Sequence, residues 1–207
     1  MKRCIIIAAH MQSKISRVVN LREDDFIICA DGGYMAAAAE GITPSLVIGD
    51  FDSFTEEIPS HIPQERVPPE KDDTDTMLCL KRGIELGYDE FIILGGMGGR
   101  LDHTFANLQT LAYGAGRGCF VLLAEEKNLA VVISDETVRI PRMDGWKLSV
   151  FALGDNCDGV CESGVKYPLQ NATVTNNFPI GVSNEFAAEE AVISCGKGRL
   201  LIILSRD

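Results

Sequence analysis

FIILGGMGGRLDHTFANLQTLA, residues 91–112, contains three successive elements that together indicate the class of fold. Phe91 to Leu94 is a short apolar run that suits a buried strand. Four glycines fall within the next five positions, and Leu101 to Ala112 then repeats apolar residues at helical spacing. A strand, a glycine-rich loop and a helix in this order predict one unit of a parallel α/β sheet, with the loop at the carboxyl end of the strand.

The rest of the first half shows the same alternation. Apolar runs that predict strands occupy residues 4–9, 26–30, 46–48 and 120–123. Helical patterns occupy residues 34–40 and 74–86, and each ends at a glycine, Gly41 or Gly87. We therefore expect a mostly parallel sheet that is covered by helices on both faces.

After Glu125 the pattern changes to short β-prone runs separated by turn residues. These runs are residues 129–133, 137–140, 147–152, 172–175, 191–195 and 200–204. They predict a small antiparallel sandwich or barrel. The fold class is thus α/β, with an N-terminal mostly parallel-sheet domain (residues 1–125) followed by a C-terminal antiparallel β-sandwich (126–207). The linker between them is short and not proline-rich, so we expect the two domains to pack together.

Charge limits the choice of partner. The 207 residues carry a formal net charge of −11, which argues against nucleic acid as the main partner because phosphate-backbone binding needs clustered Lys and Arg. An anionic ligand such as ATP would require something to screen the carboxylates, and a divalent metal ion is the usual answer.

The seven cysteines are irregularly spaced, and several lie within apolar runs. This arrangement indicates reduced thiols in a cytoplasmic protein, not a disulfide framework. Cys157 and Cys161 lack the second Cys or His pair that a zinc site needs. No segment is long enough to span a membrane, and the apolar run at residues 4–9 is too short for a signal peptide.

Two groups of carboxylates lie beside predicted element ends. Asp50 and Asp52 follow the strand that ends at Ile48, and in an extended segment their side chains would share one face. Asp72, Asp73 and Asp75 open the next helix. Clustered carboxylates repel unless a cation neutralises them, and hard oxygen ligands of this kind suit Mg2+.

A purely structural role for these acids is the alternative. Residues 50–53 could form an Asx turn, and Asp73 or Thr74 could cap the helix. The structural role is the better explanation for either segment alone. The occurrence of both groups, each at a strand end or helix start, favours a metal site.

The glycines between Leu94 and Leu101 would let backbone N–H groups approach a phosphate, with Arg100 and the following helix N-terminus adding positive charge. The pattern matches neither the P-loop nor the dinucleotide fingerprint, and a merely tight turn is the alternative. Asp102 could be a surface acid favoured by the helix dipole, or could bind a nucleotide hydroxyl or the metal. A lone histidine in the first turn of a helix, such as His103, is more often structural than catalytic. From the residues alone, we expect a Mg2+-dependent nucleotide or phosphate enzyme whose acceptor is not defined.

Taken in order, these segments resemble the thiamine pyrophosphokinase family. The matching segments are ADGG at 30–33, GDFDS at 49–53, Lys71-Asp72 with Thr74-Asp75, GGMGGRLDH at 95–103, GVKYPL at 164–169 and SNE at 183–185. The resemblance runs from about residue 30 to the C-terminus.

The resemblance implies transfer of a diphosphate from ATP to the hydroxyl of thiamine, giving thiamine diphosphate and AMP. It implies Mg2+ held by Asp50, Asp52 and Asp75, which with Asp102 form the catalytic set. It implies an ATP site made of Asp31, Gly32, Gly33, Lys71, Asp72, Thr74, Gly95, Gly96, Gly98, Gly99, Arg100 and His103. It implies thiamine contacts from Ser183 and Asn184, and a homodimer whose composite sites pair the catalytic domain of one subunit with the sandwich of the other.

Two other functions remain open at this stage. A Mg2+-dependent nucleotide hydrolase would use water in place of thiamine. A sensor module would bind a nucleotide without consuming it, and would need fewer clustered acids.

Overall fold

The computed structural model describes residues 2–51, 58–68, 70 and 72–207. The chain divides into two compact units, one ending at Glu126 and the other spanning Lys127–Asp207. The first combines helices with a parallel sheet and the second consists of antiparallel strands, which confirms the predicted fold class.

The described residues of the first unit form six strands and four helices. In chain order they are β1 (Arg3–Ile7), α1 (Ile15–Val18), β2 (Phe26–Ala30), α2 (Gly33–Ala39), β3 (Leu46–Gly49), β4 (Gln64–Arg66), α3 (Asp75–Glu85), β5 (Glu90–Leu94), α4 (Leu101–Ala115) and β6 (Phe120–Ala124). The predicted helices and strands agree with these to within a few residues. The short elements α1 and β4 were not predicted, because four and three residues are too few to show a period.

The strand pairs found in the described part of this unit are all parallel, in the order β6-β5-β1-β2-β3-β4. The chain builds outward from β1 through β2, β3 and β4, and then crosses over to β5 on the other side of β1. The order of the strands therefore reverses between β1 and β5. In open α/β sheets, ligands bind outside the carboxyl ends of the strands at this point.

Small residues let α3 and α4 pack closely on the sheet. A Cβ at Gly83 would overlap the ring of Phe91, and one at Gly114 would overlap Val121. Every residue of β1 is buried, so both faces of the central strand are covered. This accounts for the continuous apolar run from Cys4 to Ile7.

Helix α4 does not bury the whole of its predicted apolar face. Leu111 is buried, but Leu101 is 82% and Phe105 is 54% exposed. The helix instead buries a row of smaller and more polar residues that includes Asn107 and Thr110. The first two turns of α4 thus present an apolar surface that this unit leaves open.

The second unit contains eight strands. They are β7 (Asn128–Ser134), β8 (Thr137–Pro141), β9 (Lys147–Ala152), β10 (Cys157–Ser163), β11 (Leu169–Val174), β12 (Gly181–Asn184), β13 (Glu190–Ser194) and β14 (Arg199–Ser205). They form two antiparallel arrays, β12-β9-β14-β7 and β11-β10-β13-β8. Strands β10 and β12 were missed because Gly159 and acidic residues interrupt the apolar alternation of the first, and the second has only four residues.

Among the described residues, no helix is long and apolar enough to cross a membrane.

Candidate active site

A cavity of about 600 Å3 lies at the carboxyl ends of the first unit's strands. Its described lining comes from the loops after β1, β2, β3 and β5 and from the first turns of α3 and α4. The lining residues are Ala8, Ala9, His10, Ala30, Asp31, Asp50, Thr74, Asp75, Thr76, Gly95, Gly96, Gly98, Arg100, His103 and Asn107. Segments far apart in sequence therefore meet around one space, at the edge where parallel α/β sheets bind ligands.

The loops after β2 and β3 are locked together at Asp31. Asp31 is buried and has a left-handed backbone, with φ of 43°, and its Oδ1 accepts a hydrogen bond of 3.3 Å from the N–H of Phe51. A Cβ at Gly49 would lie 2.9 Å from the Cα, Cβ and Oδ1 of Asp31. Phe51 is also left-handed, with φ of 65°. Non-glycine residues held in this conformation are concentrated at functional sites, because the surrounding structure must enforce it.

Two of the three expected metal ligands, Asp50 and Asp75, line the same cavity. The third, Asp52, lies outside the described residues. No group of three or more His, Cys, Asp or Glu residues that could hold a metal ion occurs among the residues the structure describes. Two carboxylates facing a shared space still fit Mg2+, which takes one or two carboxylates and completes its shell with phosphate oxygens and water.

The acidic segment before α3 has a structural role as well. Thr74 caps the helix, with its Oγ1 accepting a 3.2 Å hydrogen bond from the N–H of Met77. Asp73 forms an ion pair with Lys81, with N–O distances of 2.7 and 2.8 Å. Asp72 is exposed, and Lys71 lies outside the described residues. The cap places Asp75 in the first helical turn, beside the cavity.

The glycine-rich loop is held by side chains from two other elements. The Nε2 of Gln12 donates a 2.8 Å hydrogen bond to the carbonyl of Met97, and the Nδ2 of Asn107 donates one of 2.8 Å to the carbonyl of Gly96. The N–H of Gly98 donates to the Oγ1 of Thr104 at 3.1 Å. These bonds fix the shape of the loop.

Arg100 and Asp102 form a two-point ion pair, with N–O distances of 3.1 and 2.6 Å. The hydrogen bond from Arg100 lowers the pKa of Asp102 to about 2, and the N–H of His103 adds to this effect. Of the described residues, the cavity wall includes Arg100 and His103 but not Asp102.

His10 is a cavity residue that the sequence analysis missed. It follows β1 and is exposed, and a Cβ at Gly99 would lie 3.1 Å from its Cε1. Gly98 and Gly99 are both left-handed, with φ of 87° and 63°, so the backbone passes close to the imidazole. The available signal was position alone, since His10 lies just beyond the first strand of a parallel sheet.

In the second unit, Ser183 and Asn184 lie at the end of β12 but differ in exposure. Ser183 is exposed and left-handed, with φ of 59°. Asn184 is buried and makes four hydrogen bonds. Its Oδ1 accepts from the N–H groups of Tyr167 and Glu185, both at 3.0 Å, and its Nδ2 donates to the carbonyl of Tyr167 at 2.9 Å and to Glu162 at 3.3 Å. All four positions of the amide are thus used within the protein.

Two families match the chain in succession. The thiamin pyrophosphokinase catalytic domain matches residues 19–122, and the thiamin pyrophosphokinase vitamin B1 binding domain matches residues 135–200. The chain belongs to the thiamine pyrophosphokinase family. Each match falls within one of the two structural units. The resemblance inferred from the motifs is therefore confirmed.

Individual thiamine pyrophosphokinases match over long stretches. A thiamine pyrophosphokinase of Bacillus subtilis is 29% identical over 216 residues, which cover 100% of both chains. A crystal structure of thiamine pyrophosphokinase from the same species superposes with a TM-score of 0.90 at 26% identity, again with both chains fully covered. Thiamin pyrophosphokinase 1 of Caenorhabditis elegans is 24% identical over 77% of this chain and 70% of its own length.

The thiamine pyrophosphokinase motifs fall into three groups in the structure. Asp31, Asp50, Thr74, Asp75, Gly95, Gly96, Gly98, Arg100 and His103 share the cavity. Gly32, Gly33, Asp72, Gly99 and Asp102 are close to these residues in sequence but are not part of the described lining. Gly33 opens α2, where a Cβ would overlap the carbonyl of Ile7. Ser183 and Asn184 belong to the second unit, and their proposed contact with thiamine stays a prediction.

Proposed function

We propose that this thiamine pyrophosphokinase transfers a diphosphate from ATP to the hydroxyl of thiamine and releases AMP. The observation that carries the proposal is the cavity in which Asp50, Asp75 and the glycine loop face one space. Carboxylates next to an anion site need a cation between them and the phosphates, and that combination is typical of phosphoryl transfer. In this reaction the thiamine hydroxyl attacks the β-phosphorus in line.

Mg2+ would be held by Asp50 and Asp75, together with Asp52 by family resemblance. The bound ion supplies neutralisation of the charge on the triphosphate. The protein's own contribution is to hold the two described carboxylates on the loop after β3 and on the first turn of α3, so that they face the same space.

The triphosphate would lie along the wall formed by the glycine loop, Arg100 and the two histidines His10 and His103. Arg100 is already oriented by its ion pair with Asp102, so little side-chain freedom would be lost when it binds a phosphate. Asp31, held by the contact with Gly49, would orient the loop that carries Asp50.

Asp102 is a poor candidate for accepting the hydroxyl proton. It is not part of the described cavity lining, and its ion pair with Arg100 lowers its pKa to about 2. A carboxylate with so low a pKa is a weak base at neutral pH. We therefore assign Asp102 to the positioning of Arg100.

Thiamine would contact Ser183 directly, while Asn184 would hold the Tyr167 segment through its four hydrogen bonds. We also propose a homodimer in which the second unit of one subunit completes the site of the other. Exposed apolar residues support this arrangement: Leu101 and Phe105 on α4 in the first unit, and Phe178, Ile180 and Val182 around β12 in the second. The odd number of cysteines, all of them free, supports a cytoplasmic location.

Product analysis tests this function. Incubation with ATP, Mg2+ and thiamine should give equal amounts of AMP and thiamine diphosphate by mass spectrometry. Release of ADP or inorganic phosphate without thiamine would instead identify a hydrolase, and intact ATP would identify a sensor. Asp50→Asn should abolish both products, whereas Asp155→Asn, a change at an exposed turn of the second unit, should leave them unchanged.

A further inference from the structure

A buried acid lies behind the glycine loop and takes no part in the site described so far. Glu125 directly follows β6, in what the sequence suggested was a linker, and it is 4% exposed. Neither of its carboxylate oxygens makes a hydrogen bond of standard geometry to any described residue. A buried carboxylate without such a partner costs free energy, so we expect another polar interaction to offset that cost.

The glycine loop provides the groups that offset the cost of burying Glu125. Leu94 of β5 pairs with Ala124 of β6, so the next residues, Gly95 and Glu125, leave the sheet side by side. The backbone N–H groups of Gly95, Met97 and Gly96 act to lower the pKa of Glu125. Burial has the larger effect and raises the pKa to about 7. The three amides are therefore the polar groups that partly compensate for an anion otherwise placed in an apolar setting.

Most backbone N–H and C=O groups of the glycine loop already have partners within the protein. Three successive N–H groups interact with Glu125, and the next, that of Gly98, donates to Thr104. The carbonyls of Gly96 and Met97 are taken by Asn107 and Gln12. The loop is thus held from both sides of its backbone, and its polar groups up to Gly98 are largely used within the protein.

We propose that Glu125 is a positioning residue for the nucleotide: its carboxylate is an internal anion that anchors the glycine loop in the shape that receives the phosphates. Glycine is needed at 95 and 96 because a Cβ at Gly95 would lie 2.5 Å from the carbonyl of Ala8 and one at Gly96 would lie 2.6 Å from Leu123. The inference rests on the proposed function, since it assumes that this cavity takes ATP.

The second unit supplies a matched control. Glu162 in β10 is also buried, its Oε1 makes no hydrogen bond to any residue that the structure describes, and burial raises its pKa to about 7 as well. It interacts with Asn184 and not with the glycine loop. Replacing either residue by Gln removes a buried charge of the same kind, but only one of the two changes acts on the loop.

The experiment compares Glu125→Gln with Glu162→Gln. In Glu125→Gln an NH2 group replaces one acceptor facing the amides. The dissociation constant for ATP, measured by calorimetry without thiamine, should rise about tenfold, because the loop loses the attraction between a charged acceptor and its backbone amides. The thermal midpoint at pH 8 should stay the same or rise, because a buried charge has been removed. Glu162→Gln should affect the thermal midpoint at pH 8 in the same way but leave the dissociation constant for ATP unchanged.

Amide hydrogen exchange gives an independent measure of the anchor. Exchange at residues 95–97 should become about tenfold faster in Glu125→Gln and stay as in the wild type in Glu162→Gln. Glu125→Asp, which keeps the charge but withdraws it by one methylene, should give an intermediate ATP affinity and serves if the Gln variant does not fold.

Several results would overturn the proposal. Unchanged ATP affinity would do so, as would weaker ATP binding accompanied by a lower thermal midpoint, because a residue that only supports the fold would lower both. Failure of the wild-type protein to make thiamine diphosphate would count against the proposed function alone, since ATP binding and hydrogen exchange are measured without turnover.

Discussion

At the scale of single residues, Gly49 shows how close packing places the loop that carries Asp50. It lies at the end of β3, immediately before Asp50, and its α-carbon faces Asp31 with no room for a side chain. Asp31 in turn receives the N–H of Phe51. The position of Asp50 therefore depends on a glycine that contains no functional group.

Gly49→Ala tests this dependence. The new methyl would press on Asp31, and overpacking of this kind costs about 1–3 kcal/mol. We expect kcat/KM for ATP to fall by about tenfold or more, measured in steady-state assays. Gly196→Ala is the control, because a Cβ there would have its nearest contact at 3.4 Å, an ordinary distance. Equal activity of the two variants would show that Asp31 and Gly49 do not set the site.

Asp75→Asn removes a charge from the cavity without changing its size. Turnover should fall by at least about a hundredfold, a loss of roughly 3 kcal/mol of transition-state stabilisation, and the same is expected for Asp52→Asn. Asp73→Asn is the matched control two residues away, since Asp73 pairs with Lys81 and is not part of the cavity wall. Near-normal turnover of Asp75→Asn would remove this residue from the metal site.

Ser183 and Asn184 are adjacent in sequence but should respond differently to substitution. Asn184→Ala breaks four hydrogen bonds and leaves buried groups without partners, so the free energy of unfolding should fall by about 3 kcal/mol. Ser183→Ala should leave thermal stability unchanged and raise KM for thiamine. Calorimetry combined with thiamine titration separates the two effects. A stable Asn184→Ala variant would contradict the structural role.

Individual site residues were predictable to different degrees. Asp50, Asp75 and Arg100 could be found because charged groups next to strand ends and helix starts are conspicuous in sequence. His10 and Glu125 could not, since their roles depend on the approach of a glycine loop that is distant in sequence. The four hydrogen bonds of Asn184 were also invisible, because they arise from the pairing of separate strands.

At the scale of elements, helix α4 combines two functions on different faces. Its N-terminal turn follows the glycine loop and carries His103, while Leu101 and Phe105 leave an apolar surface exposed. The helical period was plain in the sequence. Which side of the helix faces the sheet was not, because Gly114 packs directly against Val121, where a larger residue would not fit.

Phe105→Glu should disrupt the proposed homodimer. A charge on this exposed apolar surface would be unfavourable in an interface that excludes water. We expect the variant to elute as a monomer, with the mass confirmed by light scattering, and to lose most of its thiamine diphosphate synthesis. Leu86→Glu, at a residue that is 40% exposed after α3, is the control. A monomeric wild-type protein with full activity would rule out composite sites.

At the scale of the whole molecule, two buried acids set the dependence of stability on pH. Burial raises the pKa of Glu125 and Glu162 from 4.5 to about 7, so the folded protein binds more protons than the unfolded chain between these values. Stability should therefore fall as pH rises from about 5 to about 8, by roughly 3 kcal/mol for each group.

Acids with lowered pKa act at a different pH. The pKa of Glu185 is lowered by Lys147 and Lys166, and that of Asp25 is lowered by the hydrogen bonds from Arg3 and Arg22, which outweigh the effect of burial. Their contribution is lost only as pH falls below about 4. Scanning calorimetry across this range should show maximal stability near pH 5. The double variant Glu125→Gln/Glu162→Gln should flatten the decline, and an unchanged slope would contradict the assignment.

The position of β1 between β2 and β5 affects how the first unit folds during its synthesis. Cys4 pairs with Phe26 on one side but with Phe91 on the other. During synthesis, one flank of the apolar run from Cys4 to Ile7 must therefore wait until β5 has left the ribosome. Such delayed, long-range partnering slows folding and exposes the nascent chain to aggregation.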